Sequence, residues 1–100
     1  MKEKSFVRFS QLLRVLSHPV RLRIIELLLD SEYDVGTLGH TLGLDGSAVS
    51  QHLALLRAHR LVDLRRAGQR SFYRLSSAGL GRWLLAGSCL AGGEPLLLES

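Results

Sequence analysis

One cysteine and two prolines stand among the 100 residues, and no apolar run approaches the roughly 20 residues that a membrane-spanning helix needs. The lone Cys89 excludes an intrachain disulfide framework and any multi-cysteine metal site built within one chain. Low-complexity stretches are missing too, and a hydrophobic content of 46% argues for a globular domain rather than a disordered one. Met1 to Phe9 interleaves charges with aromatic residues where a signal peptide would carry an apolar core and a small-residue cleavage site. The expected location is therefore the cytoplasm, with no membrane partner. No paired carboxylates, glycine-rich phosphate loop or nucleophile beside an orienting base is evident, so no enzyme is expected and no cofactor is implied. A chain this short buries a modest fraction of its surface, which makes a core shared between two copies a natural source of stability. One domain is expected over 1–91, followed by a tail over 92–100.

The net charge of +4 is small, but it is unevenly spread. Five acids lie between Glu26 and Asp45, whereas Ser47 to Leu75 holds six arginines and Asp63 alone. A basic segment on one part of a small domain is the footprint of a polyanion partner, although a solvated surface accounts for many such runs.

Apolar spacing predicts an α+β, mostly helical fold. Phe6, Phe9, Leu13 and Leu16 mark an amphipathic helix over Ser5–Leu16. Pro19 stops it and opens a second helix running to about Leu29, apolar nearly all round and so expected to be central. Asp34 caps a short third helix that carries Val35, Leu38 and Leu42 inward and ends at Gly43. Asp45 caps a fourth helix from about Ser47 to His59, so two helices are joined by a tight glycine-containing turn, the helix-turn-helix pattern. Leu61–Arg66 and Arg70–Leu75 read as a β-hairpin about Ala67-Gly68-Gln69, and a last helix spans about Ser77 to Leu90. Four helices, a hairpin wing and a C-terminal helix make a winged helix-turn-helix.

On a helical wheel Val49, Leu53 and Leu56 share one face of the fourth helix, leaving Ser47, Ser50 and Gln51 outward or sideways. A major groove admits a helix whose leading side chains are slim; glutamine pairs with adenine, and serine bonds a base edge or a phosphate. Ser47 has capping as a second explanation. His52, bordering the inward face, either buttresses the helix or touches a phosphate. In the hairpin Arg65, Arg66 and Arg70, with Gln69 at the tip, are candidates for phosphates or a minor groove; pairing with acids of the same chain is the alternative, and Arg74 lies further from the tip.

The run from Leu16 through Pro19 and Arg21 to Leu28, with Leu42-Gly43-Leu44, Ser47-Ala48-Val49-Ser50-Gln51-His52-Leu53 and Phe72-Tyr73-Arg74-Leu75, resembles the ArsR/SmtB family of winged-helix repressors over about residues 5 to 90. The resemblance implies a homodimer through the first and last helices, with Phe6, Phe9, Leu13, Leu16, Trp83 and Leu84 at the interface. It also implies repression relieved by an inducer; because a two-fold protein reads two half-sites, the expected partner is an inverted-repeat site on double-stranded DNA. The family's usual metal ligands are missing: Tyr33-Asp34-Val35-Gly36 stands where many members carry a cysteine pair, and residues 76 to 93 contain neither aspartate nor histidine. His18, His40, His52 and His59 show no clustered ligand spacing, so no metal site is expected. Cys89, which the wheel sets on the Arg82 side of the last helix, is the candidate for a thiol-reactive signal; a small buried hydrophobe is its other reading. A winged helix also serves as a protein-docking module, a reading that the basic Ser47–Leu75 segment disfavours.

Overall fold

Helix α2 (Pro19–Asp30) organises the fold, because α1 (Glu3–Leu16), α4 (Gly46–Ala58), α5 (Ala78–Leu90) and strand β2 (Arg70–Leu75) all pack against it. The computed structural model describes residues 2–90, apart from the side chains of Ala78, Leu85, Ser88, Cys89 and Leu90. The tail expected over 92–100 and the Cys89 thiol thus lie outside the described residues. Among those described, no helix is long and apolar enough to cross a membrane.

Each helix start follows from a local donor–acceptor match. His18 precedes Pro19, and its Nδ1 accepts the Val20 amide at 3.2 Å, so α2 opens on an imidazole cap. Asp34 accepts the Thr37 amide at 2.7 Å to begin α3 (Val35–Leu42), and Asp45 accepts the Ala48 amide at 2.8 Å to begin α4. Gly43 closes α3 at φ 69°, a left-handed conformation that a residue without Cβ adopts at low cost. The Leu44 amide then reaches back to the Gly39 carbonyl at 2.9 Å, which fixes the tight turn between α3 and α4.

Strands β1 (Val62–Ala67) and β2 pair antiparallel from Val62 with Leu75 to Ala67 with Arg70. The loop is therefore the two residues Gly68 and Gln69, one shorter than the spacing predicts, and Gly68 supplies a positive φ of 64° at its first position. A third chain segment joins the hairpin. Tyr33 and Tyr73 exchange both backbone hydrogen bonds, at 3.1 and 2.8 Å, tying the α2–α3 connection to the outer edge of β2.

Ile24, Ile25, Leu38, Val49, Leu53, Leu56 and Val62 are fully enclosed, with Val15, Leu16, Leu28, Leu61 and Leu84 completing the core. Helix α2 departs from the all-round burial expected of it. Ile24, Ile25 and Leu28 point inward, while Leu22 and Arg23 stay exposed, because the surrounding elements cover only one broad face. Leu16 and Leu84, expected at a dimer interface, are only 5% and 8% exposed, so the protomer's own core has already consumed their apolar surface. Phe6, Phe9, Leu13 and Trp83, at 58%, 42%, 41% and 42% exposure, stay outside it.

Candidate nucleic-acid interface

Burying Val49, Leu53 and Leu56 turns the opposite side of α4 outward, so Ser47, Ser50, Gln51 and Ala54 all lie exposed. Nothing on that side is longer than glutamine near the start of the helix. The wing lies close to the same end. Arg70 pairs with Asp34 at the start of α3, and the neighbouring Val35 sits 3.8 Å from where a Cβ on Gly46, the first residue of α4, would be. The slim polar face and the wing arginines are thus bridged by the α3 N-terminus.

Three of the four wing arginines face carboxylates. Arg65 donates from Nε to Glu32 Oε1 at 2.8 Å, with Nη2 at 2.6 Å from the same oxygen, while Arg74 stands 3.9 Å from the other carboxylate oxygen. The guanidinium groups of Arg65 and Arg70 also lie 5.1 Å from the centre of the Phe72 ring, one cation–π contact each. Arg66 is exposed and makes no ion pair among the described residues; Gln69 and Arg70 are exposed too. The hydrogen bond from Arg65 holds the Glu32 carboxyl below its ordinary range and raises Arg65 in turn. Exposed pairs of this kind contribute little and are screened by salt. They orient the wing arginines without locking them away from a polyanion.

Asp34 is held at about 2, first by the Thr37 amide and then by Arg70. Its folded value lies below the ordinary 3.8, so the charged form stabilises the folded state above that value and the contribution disappears as pH falls through about 2. The thermal stability difference between wild type and Asp34→Ala should be constant near neutrality and shrink between about pH 4 and pH 2. A difference that persists undiminished at the acid end would show that the carboxylate charge is not what the α3 start needs.

His52 sits on the flank of α4. It is half-buried, its ring meets His18 at 4.7 Å between centroids, and its Nδ1 accepts from Arg21 Nε at 3.2 Å. Burial, then His18 and Arg21, lowers its pKa, which keeps the ring neutral and able to accept. The chain thus brings together two histidines and an arginine 31 positions away from His52, a cluster that linear spacing does not reveal.

A model of bacterial regulatory proteins of the arsR family matches residues 18–63, from the α2 cap to the first wing strand. The transcriptional activator HlyU of Vibrio cholerae serotype O1 is 45% identical over 75 residues, covering 75% of this chain and 69% of HlyU. The biofilm growth-associated repressor of Xylella fastidiosa is 40% identical over 76 residues, covering 76% of this chain and 67% of the repressor. The solved structure of HlyU from Vibrio cholerae N16961 superposes with a TM-score of 0.79 at 40% identity, covering 88% of this chain and 99% of that one. The chain belongs to the ArsR/SmtB family of winged helix-turn-helix regulators, proteins that control transcription by binding DNA.

Proposed function

We propose that this regulator binds an inverted-repeat site on double-stranded DNA as a homodimer, α4 choosing the sequence and the wing holding the phosphates. The observation that carries this reading is the slim polar face of Ser47, Ser50 and Gln51 beside exposed wing cations, joined through the start of α3. Gln51 lies beyond the capping turn, so its amide is available for a bidentate pair with adenine. Ser47 and Ser50 reach base edges or phosphates, and Arg65, Arg66, Gln69 and Arg70 supply affinity that is largely independent of sequence. With Nδ1 engaged by Arg21, His52 fixes how α4 sits and has only its Nε2 left for a phosphate.

The second copy covers Phe6, Phe9, Leu13 and Trp83, with Leu16 and Leu84 supporting that face from beneath. In the finer reading, the protein represses and is released by a non-metal or thiol-reactive inducer, the latter acting at Cys89. Support comes from the absence of ligands at both of the family's usual metal positions. A promoter fusion in the presence and absence of the gene gives the sign of regulation; higher expression with the protein present would make it an activator.

An anisotropy titration against the DNA upstream of its own gene, compared with scrambled duplex, tests the assignment. Gln51→Ala should cost about 1–3 kcal/mol of discrimination between the two duplexes. Arg66→Ala should weaken both similarly and reduce the salt slope by about one. The reverse pattern would exchange the roles of helix and wing, and no binding by the wild type would sink the reading. Repeating the titration with oxidant on Cys89→Ser tests the thiol route, which an unchanged release would eliminate.

A further inference from the structure

We propose that Arg14, His18 and Arg21 form an oxyanion site beside α4, taking a phosphate or carboxylate group and signalling its presence to that helix through His52. A cavity of about 620 Å³ opens here between α1, α2 and α4, with Arg14, His18, Arg21 and His59 around Val15 and Leu55, and no carboxylate in its lining. Arg21 is half-buried, yet among the described residues two of its five N–H groups find acceptors, Nη1 the Val15 carbonyl at 2.8 Å and Nε the His52 ring at 3.2 Å. Both acceptors are neutral. Among the described residues no carboxylate lies within 4 Å of Arg21 or Arg14, whereas the more exposed Arg65 and Arg70 each have one.

A cation drawn partly out of water is ordinarily paired, so the missing counter-charge is a property of this place in the fold. The complement of a guanidinium fork with a second guanidinium, Arg14, and the Nε2–H of His18 beside it is a planar or tetrahedral oxyanion. The positive field also registers on His52, whose pKa is lowered by burial, by His18 and by Arg21. The cavity falls within the roughly 300–1,000 Å³ typical of small-ligand sites and exceeds one oxyanion, leaving room for an attached organic body over Val15 and Leu55. An anion that draws Arg21 toward the cavity pulls on the hydrogen bond to His52, the residue next to Gln51. This coupling rests on α4 being the DNA-reading helix; the binding site itself does not.

Two sources supply the same chemistry, a DNA phosphate flanking α4 or a free small anion. The test uses the full chain, isotopically labelled and titrated with inorganic phosphate at constant ionic strength, with sodium chloride as the reference. Saturable shifts are expected at Arg21 Nε, His18 and His52, weakened roughly tenfold in Arg14→Gln and in Arg21→Gln, the size of effect that losing one charge-assisted hydrogen bond produces. Arg21→Gln also gives up the bond to Val15, so Arg14→Gln, on the exposed side of α1, keeps the test informative if the first variant fails to fold.

The second arm is the salt dependence of duplex binding. A slope reduced by about one in Arg14→Gln assigns the site to a DNA phosphate, while an unchanged slope with the phosphate shifts present assigns it to a free anion. A wild type that responds to phosphate as it does to chloride, together with unchanged slopes in both variants, overturns the proposal. Loss of duplex binding by the wild type with the shifts intact would instead remove only the DNA reading.

Discussion

Phe9→Glu should convert the dimer to a monomer and lower affinity for an inverted-repeat site by roughly 100-fold or more, the usual scale of avidity lost when two linked half-site contacts become independent. Phe9 packs edge-on against Trp83, their ring centroids 6.3 Å apart, so α1 and α5 present one continuous apolar surface. Between them lies a small cavity of about 150 Å³ lined by Phe9, Leu13, Leu16, Leu80 and Trp83. Contiguous exposed apolar surface of this kind marks an interaction site, and a second copy offers the same shape and chemistry back to it. A carboxylate placed on this apolar surface should be desolvated on assembly, whereas in the monomer it faces water. The fold of the protomer should therefore survive, because Phe9 belongs to none of the buried core. Sedimentation velocity on the variant, paired with circular dichroism, checks both halves of the expectation. A variant that stays dimeric would place the interface elsewhere, and one that unfolds would show that the protomer has no independent stability.

The face that Phe9 shares was legible because helical periodicity and caps are local signals. Phe6, Phe9 and Leu13 repeat at helical spacing, Asp34 and Asp45 stand directly before apolar-periodic segments, and Gly43 follows one. What stayed hidden needed chain-distant partners. Tyr33 adds one residue pair to the sheet, and a single pair carries no alternation. Leu16 and Leu84 look like their exposed neighbours on a wheel; the packing of the helices around one core decides that they face inward.

The candidate site divides the same way. Ser47, Ser50 and Gln51 were legible from one helix, since burying Val49, Leu53 and Leu56 leaves them outside. The pairing of Arg65 with Glu32 and of Arg70 with Asp34 was only latent in the acids between Glu26 and Asp45. Arg21 and His52 meet across 31 positions, and no spacing rule reaches that far.

Gly39 shows how much rested on a residue without a sequence signal. It lies mid-helix in α3, where a glycine ordinarily only weakens a helix, and it is buried. A Cβ there would stand 2.8 Å from the Leu44 carbonyl oxygen and 3.7 Å from Val49 Cγ2, so backbone rather than a flexible side chain must yield. Gly43, the residue that local reasoning selects, has open space around it and is needed for its φ of 69° alone. Gly39→Ala should accordingly destabilise by about 1–3 kcal/mol through overpacking, and Gly43→Ala by about 1–2 kcal/mol through left-handed strain. The two differ more sharply in function. Relieving the clash at residue 39 should move Leu44 and the turn away from α3, tilting α4 and displacing Gln51, the side chain proposed above to read the DNA. Gly39→Ala should therefore lose preference for the upstream DNA even under conditions where it is fully folded, while Gly43→Ala retains most of it. Urea unfolding gives the stabilities, and anisotropy at a temperature where both variants are native gives the preference. Equal discrimination by the two would mean that the turn absorbs the added methyl without moving α4, and that close approach at Gly39 sets stability alone.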